Sequence, residues 1–157
     1  MGLKKKELYR TAIYCRLSDE DYNKKRDLSE SIENQLAICR KYIEEKADLE
    51  EVGVYIDDGH TGLNYKRDGY IRMMEDVDDG KIDCIITKTL ARLGREHAET
   101  IKLFKQTFVI KQLRYIAVVD NIDFNGLVPG MRVEVRYANF MTNSIPPQTT
   151  ALEVKVL

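Results

Sequence analysis

One hydroxyl and four guanidinium groups occupy positions that suit a phosphate ligand. Ser18 follows a short apolar segment, with Arg16 two residues before it. Arg67 lies beyond a second such segment, and Arg92 and Arg95 lie beyond a third. Arginine offers a planar fork of donors that matches phosphate oxygens and keeps its charge. Phosphoryl transfer needs an in-line nucleophile and positive charge where the equatorial oxygens gain negative charge. A serine hydroxyl is a weak nucleophile alone, and neighbouring arginines lower its pKa and steady the alkoxide. Asp58 falls in the same set of loop residues. Gln35 sits beside Leu36 and Cys39, near the stripe of a helix that faces the core. A polar side chain there needs a partner, either a backbone group or a polar site at the sheet edge.

Each residue also has an ordinary reading. Ser18 precedes Asp19-Glu20-Asp21 and can cap a helical turn. Arg92 and Arg95 can be solvated residues at a helix start, paired weakly with Glu96 or Glu99. Asp58 can be a turn residue. His60 and His97 read as surface or packing residues rather than as a base or metal ligands.

The elements that must position these groups alternate between strand and helix. Residues 10–17 (RTAIYCRL) read as a strand buried on both faces. Ile32, Leu36, Cys39 and Ile43 repeat at helical spacing over about 29–46, with Ser29 or Ser31 as the cap. Residues 52–56 form a second strand, and Asp57–Gly62 a loop with glycines at 59 and 62. Residues 69–77 read as a helix with Gly80 as its stop. Strands follow at 82–87 and 114–119, separated by a long helical pattern over about 96–112. The order predicts an α/β fold: a mostly parallel central sheet of four to five strands with helices on both faces. Functional loops then gather at the carboxyl ends of the strands, at 16–18, 57–62, 88–95 and 120–123. We expect this domain to span 1–126. Residues 127–157 read as an irregular or hairpin-like tail, with alternating patterns at 131–137 and 153–157 and a break at Pro146-Pro147.

Composition bounds the function. The chain has 157 residues, 43% hydrophobic and 32% charged, which fits one folded domain rather than a disordered one. No run of 18 apolar residues is present, so no membrane partner is expected. The basic start lacks an apolar signal region. Cys15, Cys39 and Cys84 lie in apolar patterns without a CxxC pair, which points to buried thiols in the cytoplasm and against a metal site. The net charge of -1 lacks the excess of a protein that binds DNA unaided. Basic residues nonetheless gather between Lys88 and Arg114.

The segment Ala12-Ile-Tyr-Cys-Arg-Leu-Ser18, followed by Ser29-Glu-Ser-Ile-Glu-Asn-Gln35, resembles the opening of the serine recombinases (resolvases and invertases). It is most similar to the large members from conjugative transposons and phages. Asp57-Asp-Gly-His-Thr-Gly62 with Tyr65-Lys-Arg67-Asp-Gly-Tyr70 resembles the second block of that family, and Lys88-Thr-Leu-Ala-Arg92-Leu-Gly-Arg95 the third. Together the blocks cover about residues 10–123.

The resemblance implies a site-specific DNA recombinase catalytic domain, with roles carried over position by position. Ser18 matches the nucleophile that attacks the scissile phosphate. Arg16, Arg92 and Arg95 match the arginines that bind it, Arg67 a further active-site arginine, Asp58 the acid that orients the cluster, and Gln35 a polar residue of the same site. Cleavage in the family leaves a 5′-phosphoseryl link and a free 3′-hydroxyl. Four subunits cut two duplexes, exchange ends by rotation and rejoin them. The implied partners are therefore DNA and further copies of the chain, from dimer to synaptic tetramer. The covalent link conserves the phosphodiester energy, so no cofactor is expected, and the sequence has neither a GxxxxGK[ST] loop nor a metal-ligand cluster.

Two departures stand out. Ala91 occupies a position where relatives carry Asp or Ser. Pro129-Gly130 and Pro146-Pro147 interrupt the long helix that in relatives leads to DNA-binding domains. These departures support an alternative, a recombinase-like interaction module that no longer cuts. An unrelated doubly wound nucleotide-binding domain is a third reading, disfavoured by the missing glycine-rich loop.

Overall fold

The computed structural model describes residues 6–17, 31–58, 67–94, 107–108, 110–124, 133–137 and 151–156. The chain divides into two compact units, Met1–Gly126 and Leu127–Leu157.

The first unit is built on a five-stranded sheet. Its strands are β1 (Tyr9–Arg16), β2 (Leu49–Asp57), β3 (Cys84–Thr87), β4 (Arg114–Ala117) and β5 (Ile122–Phe124), in the spatial order β2-β1-β3-β4-β5. All neighbours pair in parallel except β4 and β5, which run antiparallel. The helices are α1 (Ile32–Glu44), α2 (Asp68–Asp78) and the four-residue α3 (Leu90–Leu93). This is the mostly parallel, two-faced α/β sheet expected from the strand–helix alternation. The added element is β5. Residues 120–123 read as a strand-end loop, but Asn121 adopts φ 53° and turns the chain back along β4. A left-handed residue is tolerable for asparagine and invisible to hydrophobic periodicity. The helical pattern at 96–112 lies mostly outside the described residues.

Strand alternation sorts the core into two layers. Ile13 and Cys15 of β1, Cys84 and Ile86 of β3, and Ile116 of β4 face α1, where they meet Cys39 and Ile43. Ala12 and Tyr14, with Ile85 and Tyr115, face the other way and meet Met73 and Val77 of α2 and Leu93 of α3. Ser31 caps α1 by accepting a hydrogen bond from the Asn34 amide at 3.1 Å. After α2, Gly80 takes φ 72°, a conformation that costs a residue without Cβ little. No helix among the described residues is long and apolar enough to cross a membrane.

Ion pairs close the amino-terminal pole of the sheet. Arg114 is buried and gives Nη1 to Asp48 (2.7 Å), Nη2 to Asp123 (2.7 Å) and Nε to Asp123 (2.9 Å), with its guanidinium over the Tyr9 ring. Asp83 receives Arg10 through Nε (2.8 Å) and Nη2 (3.0 Å), and Lys6 as well.

In the second unit, β6 (Val133–Tyr137) and β7 (Ala151–Val156) pair antiparallel, with Val133 opposite Val156 and Val135 opposite Val154.

Candidate active site

β1 is the point where the strand order reverses: β2 lies on one side of it and β3 on the other. In open α/β sheets the crevice at the carboxyl end of such a strand is the usual ligand site. Arg16 is the last residue of β1 and shares the parity of Tyr14, so its side chain leaves the sheet on the α2 face.

Arg16 reaches α3. Its Nε donates to the Arg92 carbonyl at 3.1 Å and its Nη2 to the Ala91 carbonyl at 2.8 Å. Arg92 answers by donating Nη1 to the Arg16 carbonyl at 3.0 Å. Gln35 approaches from the opposite face of the sheet. Its Oε1 accepts the Arg16 amide at 3.2 Å and its Nε2 donates to the Arg16 carbonyl at 3.1 Å. Gln35 is fully buried, so of the two partners open to a core-edge glutamine it has taken the backbone.

Arg67 enters from the residue before α2. Its Nε donates to the Tyr14 hydroxyl at 3.1 Å, and its Nη2 donates to the Leu93 carbonyl. The guanidinium lies over two rings, 4.5 Å from the Tyr70 centroid and 5.4 Å from that of Tyr14. Cation–π contact and hydrogen bonding thus both hold it. The three arginines Arg16, Arg67 and Arg92 therefore meet around one short helix, whose carbonyls at 91, 92 and 93 accept from two of them.

A carboxylate tied to this cluster is Asp57. Tyr14 donates its hydroxyl to Asp57 Oδ2 at 2.8 Å. The Gly69 amide donates to Asp57 Oδ1 at 2.8 Å and the Tyr70 amide to Oδ2 at 3.0 Å. Asp57 shares strand parity with Tyr55, which packs into the α2 layer. Asp58, the residue singled out from the sequence, follows Asp57 and is exposed. The alternation of β2 points Asp57 at α2. Asp57 and Tyr14 were not singled out from the sequence; a tyrosine within an apolar strand reads as core. Burial pushes its hydroxyl pKa up, so it stays protonated and keeps donating to Asp57.

Ala91 is itself exposed, and its carbonyl accepts from Arg16. Ser18 and Arg95 lie outside the described residues. Among those residues, no group of three or more His, Cys, Asp or Glu side chains could hold a metal ion.

Arginines gathered on strand and helix ends at the switch point suit a protein that handles phosphodiesters. The family described as resolvase, N-terminal domain, matches residues 11–126. Solved structures agree. The N-terminal catalytic domain of TP901-1 integrase is 26% identical, with a TM-score of 0.61 over 73% of this chain and 81% of that one. A resolvase family site-specific recombinase from Streptococcus pneumoniae is 27% identical, with a TM-score of 0.61 over 73% and 75%. The C-terminal catalytic domain of ISC1926 TnpA, an IS607-like serine recombinase, is 26% identical, with a TM-score of 0.52 over 69% of each chain. No curated protein matches significantly. The chain belongs to the resolvase N-terminal domain family and is the catalytic domain of a site-specific serine recombinase.

Proposed function

We propose that Ser18 attacks a DNA phosphodiester, with Arg16, Arg92, Arg67 and Arg95 supplying the positive charge. The observation that carries this reading is the reciprocal Arg16–Arg92 contact. Each guanidinium donates to the other residue's carbonyl, 3.1 and 3.0 Å away. Two positive groups are thereby fixed at the end of β1, two residues before Ser18 in the chain. Concentrated positive charge there favours the alkoxide and the charge that builds on the phosphoryl oxygens. Gln35 fixes the backbone from which the Ser18 segment departs. Asp58, the exposed residue after Asp57, is the acid that would orient this cluster.

In the reaction, the serine oxygen bonds to phosphorus as the 3′-oxygen leaves. The 5′-phosphoseryl link that results keeps the energy needed for rejoining. Duplex DNA and further copies of the chain are the implied partners. Residues 1–126 would carry the chemistry, and 127–157 a separate small unit.

The test is covalent attachment of the chain, joined to a DNA-binding region, to a nicked duplex that traps the cleaved state. Ser18→Ala should abolish attachment while leaving the far-ultraviolet circular dichroism unchanged. Arg92→Ala should slow it on the order of 100-fold or more. Attachment that survives Ser18→Ala would remove the serine from its assigned role.

A further inference from the structure

Two of the three described arginines of the site ride on helix starts that lack caps of their own. Arg67 is itself the residue before α2 and makes no side-chain cap bond. Asp57, at the end of β2, supplies the missing acceptor to the Gly69 and Tyr70 amides. α3, which carries Arg92, is in the same position: Thr89 precedes it and makes no side-chain cap bond. Here the acceptor comes from 30 residues away. Asp120 Oδ2 takes the Leu90 amide at 2.6 Å.

We infer that Asp120 is a positioning residue for Arg16 and Arg92, acting as a remote cap on α3. A four-residue helix makes almost no internal hydrogen bonds, so its place depends on what holds its ends. The turn between β4 and β5 provides that hold. Val118 donates its amide to the Thr87 carbonyl at 3.1 Å and Val119 to the Lys88 carbonyl at 2.9 Å. These bonds carry the parallel β3–β4 ladder to the doorstep of α3. Asp120 follows at once, and the left-handed Asn121 then turns the chain away.

A second support lies beneath. Thr87 and Tyr115 are fully buried with their oxygens 2.6 Å apart. Thr87 spends its one hydroxyl proton on the Thr89 carbonyl at 2.8 Å, so Tyr115 donates to Thr87. The segment from Thr87 to Leu90 is thus tied to β4 and its turn from two sides. Of these ties only Asp120 is an exposed side chain whose removal leaves the core intact. What α3 presents to the site is the Arg92 side chain and the Ala91 and Arg92 carbonyls that receive Arg16. A small tilt of α3 shifts both acceptors and the Arg92 side chain together.

The inference rests on the phosphate-handling reading of the arginines only for its consequence, not for its geometry, and the experiment separates the two. In the full chain, hydrogen exchange at the Leu90 amide and the Nε–H resonance of Arg16 are followed by NMR for the parent, Asp120→Ala and Asp120→Asn. Asp120→Ala should speed Leu90 exchange about 10-fold or more and move the Arg16 resonance. Exchange at Ile85 and Ile116 should stay within about twofold. Asp120→Asn, which keeps a side-chain oxygen, should restore both signals. Unchanged Leu90 exchange, or equal acceleration of the core amides, would overturn the remote cap. Inorganic phosphate added to the parent and to Asp120→Ala reports on the consequence, with affinity expected to fall about fivefold. A parent that takes up no phosphate would count against the phosphate site, while the exchange data still decide the role of Asp120.

Discussion

Gln35 shows how much one buried side chain can fix. Its amide serves the N–H and the C=O of Arg16 as a paired strand would. Gln35→Met keeps the length and removes both bonds. Arg92 still reaches the Arg16 carbonyl, but the Arg16 amide loses the Gln35 oxygen. Each hydrogen bond lost costs about 0.5–1.5 kcal/mol. Urea denaturation should show that loss. Recombinase activity should fall by more than stability explains, because the same bonds aim the chain toward Ser18. Equal activity at a temperature where both proteins are folded would show that the clamp is only structural.

Close approach governs the elements. α2 sits so near β2 that a Cβ on Gly69 would lie 2.6 Å from the Ile56 carbonyl oxygen and 3.1 Å from Asp57 Oδ1. The obstacle is backbone and cannot rotate away. Gly69→Ala should therefore push α2 off the sheet, loosen the Asp57 bonds and displace Arg67. Overpacking of this kind costs about 1–3 kcal/mol, readable as a lower melting temperature. At the opposite pole, β1 and β3 are joined through Asp83. Burial pushes this carboxyl pKa up, but hydrogen bonds from Arg10 and Lys6 outweigh burial and hold it well below the usual carboxylate range. A folded pKa below the unfolded one gives stability that is complete above the unfolded value of about 3.9. It is lost as pH falls toward the folded value. Denaturation midpoints of the parent and Asp83→Asn should differ at pH 7 and draw together below about pH 4. A gap that stays constant down to pH 2 would rule out this linkage.

For the whole molecule, the three cysteines report on integrity. Cys15, Cys39 and Cys84 are free, buried and part of one core layer. Burial pushes the Cys15 and Cys39 thiols up to about 12, so neither access nor ionisation favours reaction. A thiol reagent at pH 8 should label none in the native chain and all three in denaturant. Labelling of a native thiol would mean that the α1 layer opens readily.

The sequence alone determined the α/β alternation, the two-faced β1 strand and the positions of α1 and α2, because burial imposes periods that survive without coordinates. It also marked Arg16, Arg67, Arg92 and Gln35, whose residue types are out of place beside apolar strands. Tertiary structure decided which groups meet. The parity of β2 selected Asp57 to hold Tyr14 and the start of α2, and the β5 turn brought Asp120 to Leu90. Those partners lie tens of residues apart and are chosen by strand register and a left-handed turn, neither of which leaves a period in the chain.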